Sequence, residues 1–143
     1  MHKKSVVAAV LIVVLGAAAG VAGAGPAAGG KVKVRITFKN DGRDVSDGKL
    51  AGAGQFIASG AISDKGKVLI YRTHKDDLIT LRDVVVGKKG SITFVIKIDT
   101  TVGSSRWTIT SATKAYKGLH GKGTESENPP LYTVSNLTGT VWR

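Results

Sequence analysis

Between Lys67 and Ile98 the chain reads KVLIYRTHKDDLITLRDVVVGKKGSITFVIKI. Apolar and β-branched residues alternate with polar ones, and two turn signals, Lys75-Asp76-Asp77 and Gly87-Lys88-Lys89-Gly90, divide the stretch. Such runs joined by so few residues are antiparallel hairpins. The period of two continues outward on both sides. Val32, Val34, Ile36 and Phe38 alternate with Lys31, Lys33, Arg35 and Lys39, as a half-exposed strand requires. Phe56 to Ile62 forms another run, followed by Ser63-Asp64-Lys65-Gly66 as a turn with Gly66 left-handed. Ser105 to Ser111 holds Trp107 and Ile109, Leu119 to Glu125 is a Gly-rich strand, and Tyr132 to Trp142 closes the chain. Asn40 to Gly54 reads as a polar, Gly-rich connection, and Pro129-Pro130 falls in the last connection. About eight short strands without a helical period predict an all-β fold, a single eight-stranded antiparallel β-barrel, since closure removes both exposed edges.

The strands follow a leader. Met1-His2-Lys3-Lys4 is basic, Val6 to Leu15 is unbroken and apolar, and Ala22-Gly23-Ala24 offers a small-x-small cleavage site. That pattern predicts a secretory signal peptide over 1–24, cleaved near Ala24, a flexible leader over 25–30 and the barrel over 31–143, hence a secreted protein. An uncleaved membrane anchor is the rival, because Val6 to Ala24 is long enough to span a bilayer. The 143 residues hold 21 Lys+Arg against 10 Asp+Glu, and no Cys. Without Cys there are no disulfides, thiolate metal sites or thiol nucleophile. About 120 residues remain after the leader, enough for a core that needs no covalent staple.

Hairpin geometry gives expected registers. With Asp64-Lys65-Gly66 as a three-residue loop, Ile62 opposes Val68 and Gly60 opposes Ile70. With Lys88-Lys89-Gly90 as a loop, Val86 opposes Ile92 and Val84 opposes Phe94. A Lys75-Asp76-Asp77 loop puts His74 opposite Leu78, and Ile70 opposite Arg82. These registers collect Phe56, Gly60, Ile62, Val68, Ile70, Leu78, Val84, Val86, Ile92, Phe94, Ile96 and Ile98 on one inward face. They also carry Arg72, His74 and Arg82 inward, with Arg72 and Arg82 as diagonal neighbours. Buried guanidiniums need an anionic partner or water. One reading is a lumen for a small ligand with an anionic head and an apolar body. The other is that both arginines reach water at a rim, or pair with Asp83 or Asp99 after a bulge. Trp107 is expected in the core, and Tyr116, in a short turn, as a plug for one barrel end.

Two motifs carry a resemblance. Gly54-Gln55-Phe56-Ile57-Ala58-Ser59-Gly60-Ala61-Ile62-Ser63-Asp64-Lys65-Gly66 resembles the "G-x-F-x-A-x-G-x-I-x-D-x-G" opening of small secreted bacterial proteins. Trp107 to Thr124 resembles their "W-x-I-x-x-G-T-x-A-Y-x-x-L-x-G-x-G" signature, with Ala112 where such sequences usually carry Gly. These proteins are similar to the allene oxide cyclase barrel-like group, related to the dirigent proteins and calycin-like in architecture. The resemblance implies the barrel, and a homo-oligomer (dimer or trimer) as in many barrel relatives. The plant cyclases' catalytic residues do not map onto this chain, so no catalytic residue is assigned.

Other chemistry is sparse. There is no Gly-x-Ser-x-Gly elbow, and in Gly118 to Thr124 a phosphate loop fails because Gly123 follows Lys122 where Ser or Thr must stand. Asp41, Asp44 and Asp47 are spaced by three, a poor calcium pattern. His74 and His120 have no ligand cluster, so neither metal nor cofactor is expected. Asn136-Leu137-Thr138 fits the glycan acceptor pattern. The basic stripe on the first strand is readable as a polyanion site or as a soluble exterior that protects a sheet edge. Specific nucleic-acid binding is not expected, because aromatics are 6% of residues and mostly inward. Three functions follow: a secreted non-catalytic barrel binding a small amphipathic or anionic ligand or a partner, with Arg72, Arg82, His74, Phe56, Phe94, Trp107 and Tyr116 as lumen candidates; a cyclase or isomerase acting on a hydrophobic metabolite; and a polyanion-binding surface protein.

Overall fold

The computed structural model describes residues 30–40, 50–127 and 133–143. The leader up to residue 29, the Asp41/Asp44/Asp47 loop and Pro129-Pro130 lie outside the described residues. Eight antiparallel strands follow one another: β1 (Val32–Asn40), β2 (Leu50–Gly60), β3 (Asp64–Lys75), β4 (Leu78–Gly87), β5 (Ser91–Asp99), β6 (Ser104–Ala112), β7 (His120–Glu127) and β8 (Val134–Trp142). They close into a barrel, because β1 pairs with β8 as well as with β2. The expected all-β barrel is therefore present. Leu50 to Gly54, read as connection, belongs to β2, where small residues sit against β1 and β3.

Alternation decides what lies inside. Val34, Ile36 and Phe38 of β1 point inward, with Phe56 and Ala58 of β2, Val68 of β3, Ile92, Phe94 and Ile96 of β5, Trp107 of β6, and Leu137 and Val141 of β8. Three rings cross the interior edge to face: Phe38 and Phe94 at 6.3 Å between centroids, Phe94 and Trp107 at 5.6 Å. The Trp107 indole lies over a glycine floor on β7 and β8. A Cβ on Gly139 would come within 2.6 Å of Trp107 Cζ2, and one on Gly123 within 2.7 Å of Nε1. Its N–H donates to the carbonyls of Thr124 (3.1 Å) and Thr138 (3.2 Å). The weak β-propensity of the Gly-rich strand is thus offset by a large aromatic that occupies the vacated volume.

The registers correct the expected faces in one strand. β3 meets β4 through the two-residue loop Asp76-Asp77, with Asp76 at φ 52°, so Lys75 opposes Leu78 and Ile70 opposes Asp83. β4 meets β5 with Val86 opposite Ser91 and Val85 opposite Ile92, closed by Gly87 N–H donating to Gly90 carbonyl at 2.9 Å. Each register differs by one residue from a three-residue loop, and the two differences cancel on reaching β5. Only β4 is turned over: Leu81, Asp83 and Val85 face inward, while Val86 (49% exposed) and Leu78 (40%) do not. The β2–β3 pairing also differs, with Val68 opposite Gly54 and Ile70 opposite Gly52. Here Asp64 to Gly66 are strand, and the turn sits at Ala61 to Ser63 behind Gly60 at φ 83°. That offset is even, so the inward faces of β2 and β3 survive it.

One barrel end is closed by side chains. Tyr116, in a 3-10 turn (Lys114–Tyr116), is buried, and its hydroxyl donates to Asp64 Oδ2 at 2.9 Å. Asp64 also accepts the N–H groups of Lys65 (2.8 Å), Lys88 (3.3 Å) and Lys89 (3.1 Å). Its partial burial opposes ionisation, but those four donors prevail and hold the carboxyl below its ordinary value. Desolvation and the Asp64 carboxylate push the Tyr116 phenol up. Three connections are thereby tied at one end, and the polar site lies at the other.

Candidate functional site at the mouth of the barrel

The opposite end gathers the β3–β4 and β5–β6 connections, the end of β7 and the start of β8. On the inward face there, alternation places Arg72 on β3, Asp83 on β4, Ser105 on β6, Glu125 and Glu127 on β7 and Ser135 on β8. Asp83 is 1% exposed, beside Ile70 on one side and Phe94 on the other, and its Oδ1 is buried without a hydrogen-bond partner. Glu125 is half-buried: Ser105 Oγ donates to Oε2 at 2.9 Å, while Oε1 is buried without a partner. Glu127 is solvent-exposed at the rim and accepts from Ser135 Oγ at 3.4 Å. Arg72, half-buried, offsets part of the charge on Glu127.

Burial sets the protonation. Desolvation pushes the Asp83 carboxyl well above its ordinary value, and the negative charges of Glu125 and Glu127 push it further. Glu125 is raised by burial, and the hydroxyls of Ser135 and Ser105 moderate the rise. Glu127, exposed as a residue but with its carboxyl partly desolvated, is raised by that desolvation and by Glu125, against Ser135 and Arg72. Three carboxyls and one guanidinium share the inward face at this end, which is therefore acidic. Around it, Ile70, Leu81 and Ile98 are apolar, inward and only partly covered.

The sign of the pH dependence follows. In the unfolded chain Asp83 ionises near its ordinary value of 3.8; in the barrel it keeps its proton to higher pH. The native state therefore binds more protons, and stability falls as pH rises from about 4 toward the folded value. Glu125 and Glu127 act in the same direction. Asp64 and Asp99, both lowered, act oppositely and matter only as pH falls below about 4. Urea unfolding at pH 5 and pH 8 should find the barrel more stable at pH 5, and Asp83→Asn should flatten that difference. An unchanged pH slope in Asp83→Asn would contradict the assignment.

The expected lumen residues divide. Phe56, Phe94, Trp107 and Tyr116 are buried in the core. Arg72 lies on the inward face, and His74 is exposed at the same end on β3. Arg82 is not in the lumen: the reversed β4 turns it outward, its guanidinium 4.1 Å from the Tyr71 ring centroid. The expected arginine pair is broken, and the inward face carries Arg72 with the carboxyls of Asp83, Glu125 and Glu127 in place of a basic lumen. Sequence reading missed Asp83, Glu125 and Glu127 as a group. Asp83 followed from the β4 register alone, and the strand-end spacing of Glu125 and Glu127 was the available signal for the others.

The chain's family is not fixed by comparison. A scan against family models, a search of curated proteins and a search of solved structures return no match. Among the described residues no group of His, Cys, Asp and Glu is arranged to hold a metal ion, and no helix is long and apolar enough to cross a membrane.

Proposed function

We propose that this chain is an exported binding barrel that takes a small amphipathic molecule at its mouth, with a head that donates hydrogen bonds or carries positive charge. The observation that carries the reading is Asp83: a fully buried carboxyl with an orphaned oxygen, facing a second carboxyl with another. A buried acceptor left unmade costs about 1–3 kcal/mol, and apolar residues at this site would avoid the cost. A primary ammonium supplies donors to both oxygens and neutralises the cluster, and its apolar body has Ile70, Leu81 and Ile98 to lie against. An anionic head, by contrast, would meet three carboxyls. Export is supported by the leader pattern of residues 1–24.

The test is a calorimetric titration with octylammonium and with octanoate, chain length held constant. Octylammonium should bind at least tenfold tighter, and Asp83→Asn should lower its affinity about tenfold, the worth of a charge-assisted hydrogen bond. Equal affinity for the two probes, or unchanged octylammonium binding by a folded Asp83→Asn, would reject the reading.

The same residue favours a second reading, the cyclase or isomerase. A carboxyl kept protonated beside one that ionises more readily is the acid half of a proton-transfer pair. Turnover of an unsaturated hydrophobic substrate, abolished by Asp83→Asn at unchanged binding, would select it.

A further inference from the structure

The barrel separates its charges by face. Among the described residues, Asp83, Glu125 and Glu127 lie on the inward face, and Asp64, Asp76, Asp77 and Asp99 sit at strand ends or in a loop. The outer wall between the rims, among the described residues, carries cations and no carboxylate. Across β6, β7, β8 and β1 they are Arg106, Lys122, Lys33, Arg35 and Lys39, set among threonines, whereas β3, β4 and β5 carry Lys65, Lys67, Lys75, Arg82 and Lys97. Pairing lines up Lys97, Arg106, Thr124, Thr138 and Arg35 in one row around the wall. The next row runs Thr108, Lys122, Thr140 and Lys33. Beyond it, His120 stacks on Trp142 at 6.2 Å, with Lys31 Nζ 5.9 Å from the Trp142 ring. Between the two rows lies an open depression of ≈ 560 Å³, walled by Lys33, Arg35 and the three threonines and floored by Gly123, Gly139 and Val34.

Lysines on a strand ordinarily protect a sheet edge. Here β1 is paired on both sides, so its cations protect no edge. We propose that this face binds an acidic polysaccharide. Lys33 and Lys122 stand two strand spacings apart, about 10 Å, and the rows about 7 Å apart along the strands. Interposed threonine hydroxyls suit sugar hydroxyls, and Trp142 offers a flat apolar surface to a sugar ring. A nucleic acid would call for a series of stacking aromatics among the cations, and this face has one such cluster, at its end.

The surface is independent of the mouth, so Asp83→Asn leaves its binding unchanged. Affinity for polygalacturonate, neutral dextran and duplex DNA is measured by biolayer interferometry at two salt concentrations. Polygalacturonate should bind, weaken steeply with salt, and bind more tightly than DNA, while dextran should not bind. Reversing Lys33, Arg35 and Lys122 to Glu should cost more than tenfold. Reversing Lys65, Lys67 and Lys75 to Glu on β3, at the same net charge, should cost less than threefold. The neutral set Lys33→Gln, Arg35→Gln, Lys122→Gln guards against misfolding and should also lose more than tenfold. Equal losses in the two reversed sets, binding of dextran, or tighter binding of DNA would overturn the proposal.

Discussion

Trp107→Ala should lower the stability of the barrel by about 3–5 kcal/mol, the largest loss expected from truncating any one side chain. Trp107 is fully buried and contacts Phe94, which in turn contacts Phe38, so its removal takes one end from the aromatic chain that spans the interior. Collapse cannot repair the gap. The facing positions on β7 and β8 are Gly121, Gly123 and Gly139, with no side chains to move inward, and cavity cost is greatest where surroundings relax least. The carbonyls of Thr124 and Thr138 also lose the indole donor. Domains of this size have stabilities of about 5–15 kcal/mol, so the variant should unfold at a much lower urea concentration with the slope retained. Trp107→Phe should lie between the two, since it keeps most of the volume and loses the N–H. A loss below about 1 kcal/mol in Trp107→Ala would show that the interior is not built around this residue.

What the sequence disclosed of the fold depended on which signals were redundant. Strand number and the inward faces of β1 and β5 are each written several times over in apolar alternation. The β4 face is not. Leu78-Ile79-Thr80-Leu81-Arg82-Asp83-Val84-Val85-Val86 has apolar residues on both parities, so its facing depends on turn length alone. A two-residue loop in place of a three-residue one exchanges Arg82 for Asp83 in the lumen. That exchange removes one cation from the interior and adds a third carboxyl to Glu125 and Glu127, which is why the site was less legible than the fold. The basic exterior was legible on β1, but Lys97, Arg106 and Lys122 are scattered in sequence and join it only through strand pairing around the wall.

Gly139→Ala is the sharpest test of how that wall and the core share a backbone. A Cβ at 139 would sit 2.2 Å from the Lys122 carbonyl oxygen and 2.7 Å from Gly123 Cα. Both are backbone atoms of the neighbouring strand, so relief requires β7 and β8 to separate, at a cost of at least about 3 kcal/mol. Gly123→Ala should behave alike, its Cβ lying 2.0 Å from the Thr138 carbonyl oxygen. Gly121→Ala should not. Its nearest neighbours are the side-chain ends of Val141 (2.8 Å), Ile109 (2.9 Å) and Trp107 (3.1 Å), so Val141 and Ile109 have to shift while the strands stay in place, for about 1–2 kcal/mol. Chemical denaturation of the three variants should therefore rank Gly139 and Gly123 together and well apart from Gly121. If all three cost the same, glycine would be wanted in β7 for general strand geometry. If they divide as stated, Gly123 and Gly139 are required by close backbone approach beneath the indole, and the floor of the outer depression is fixed by the same packing that holds the core.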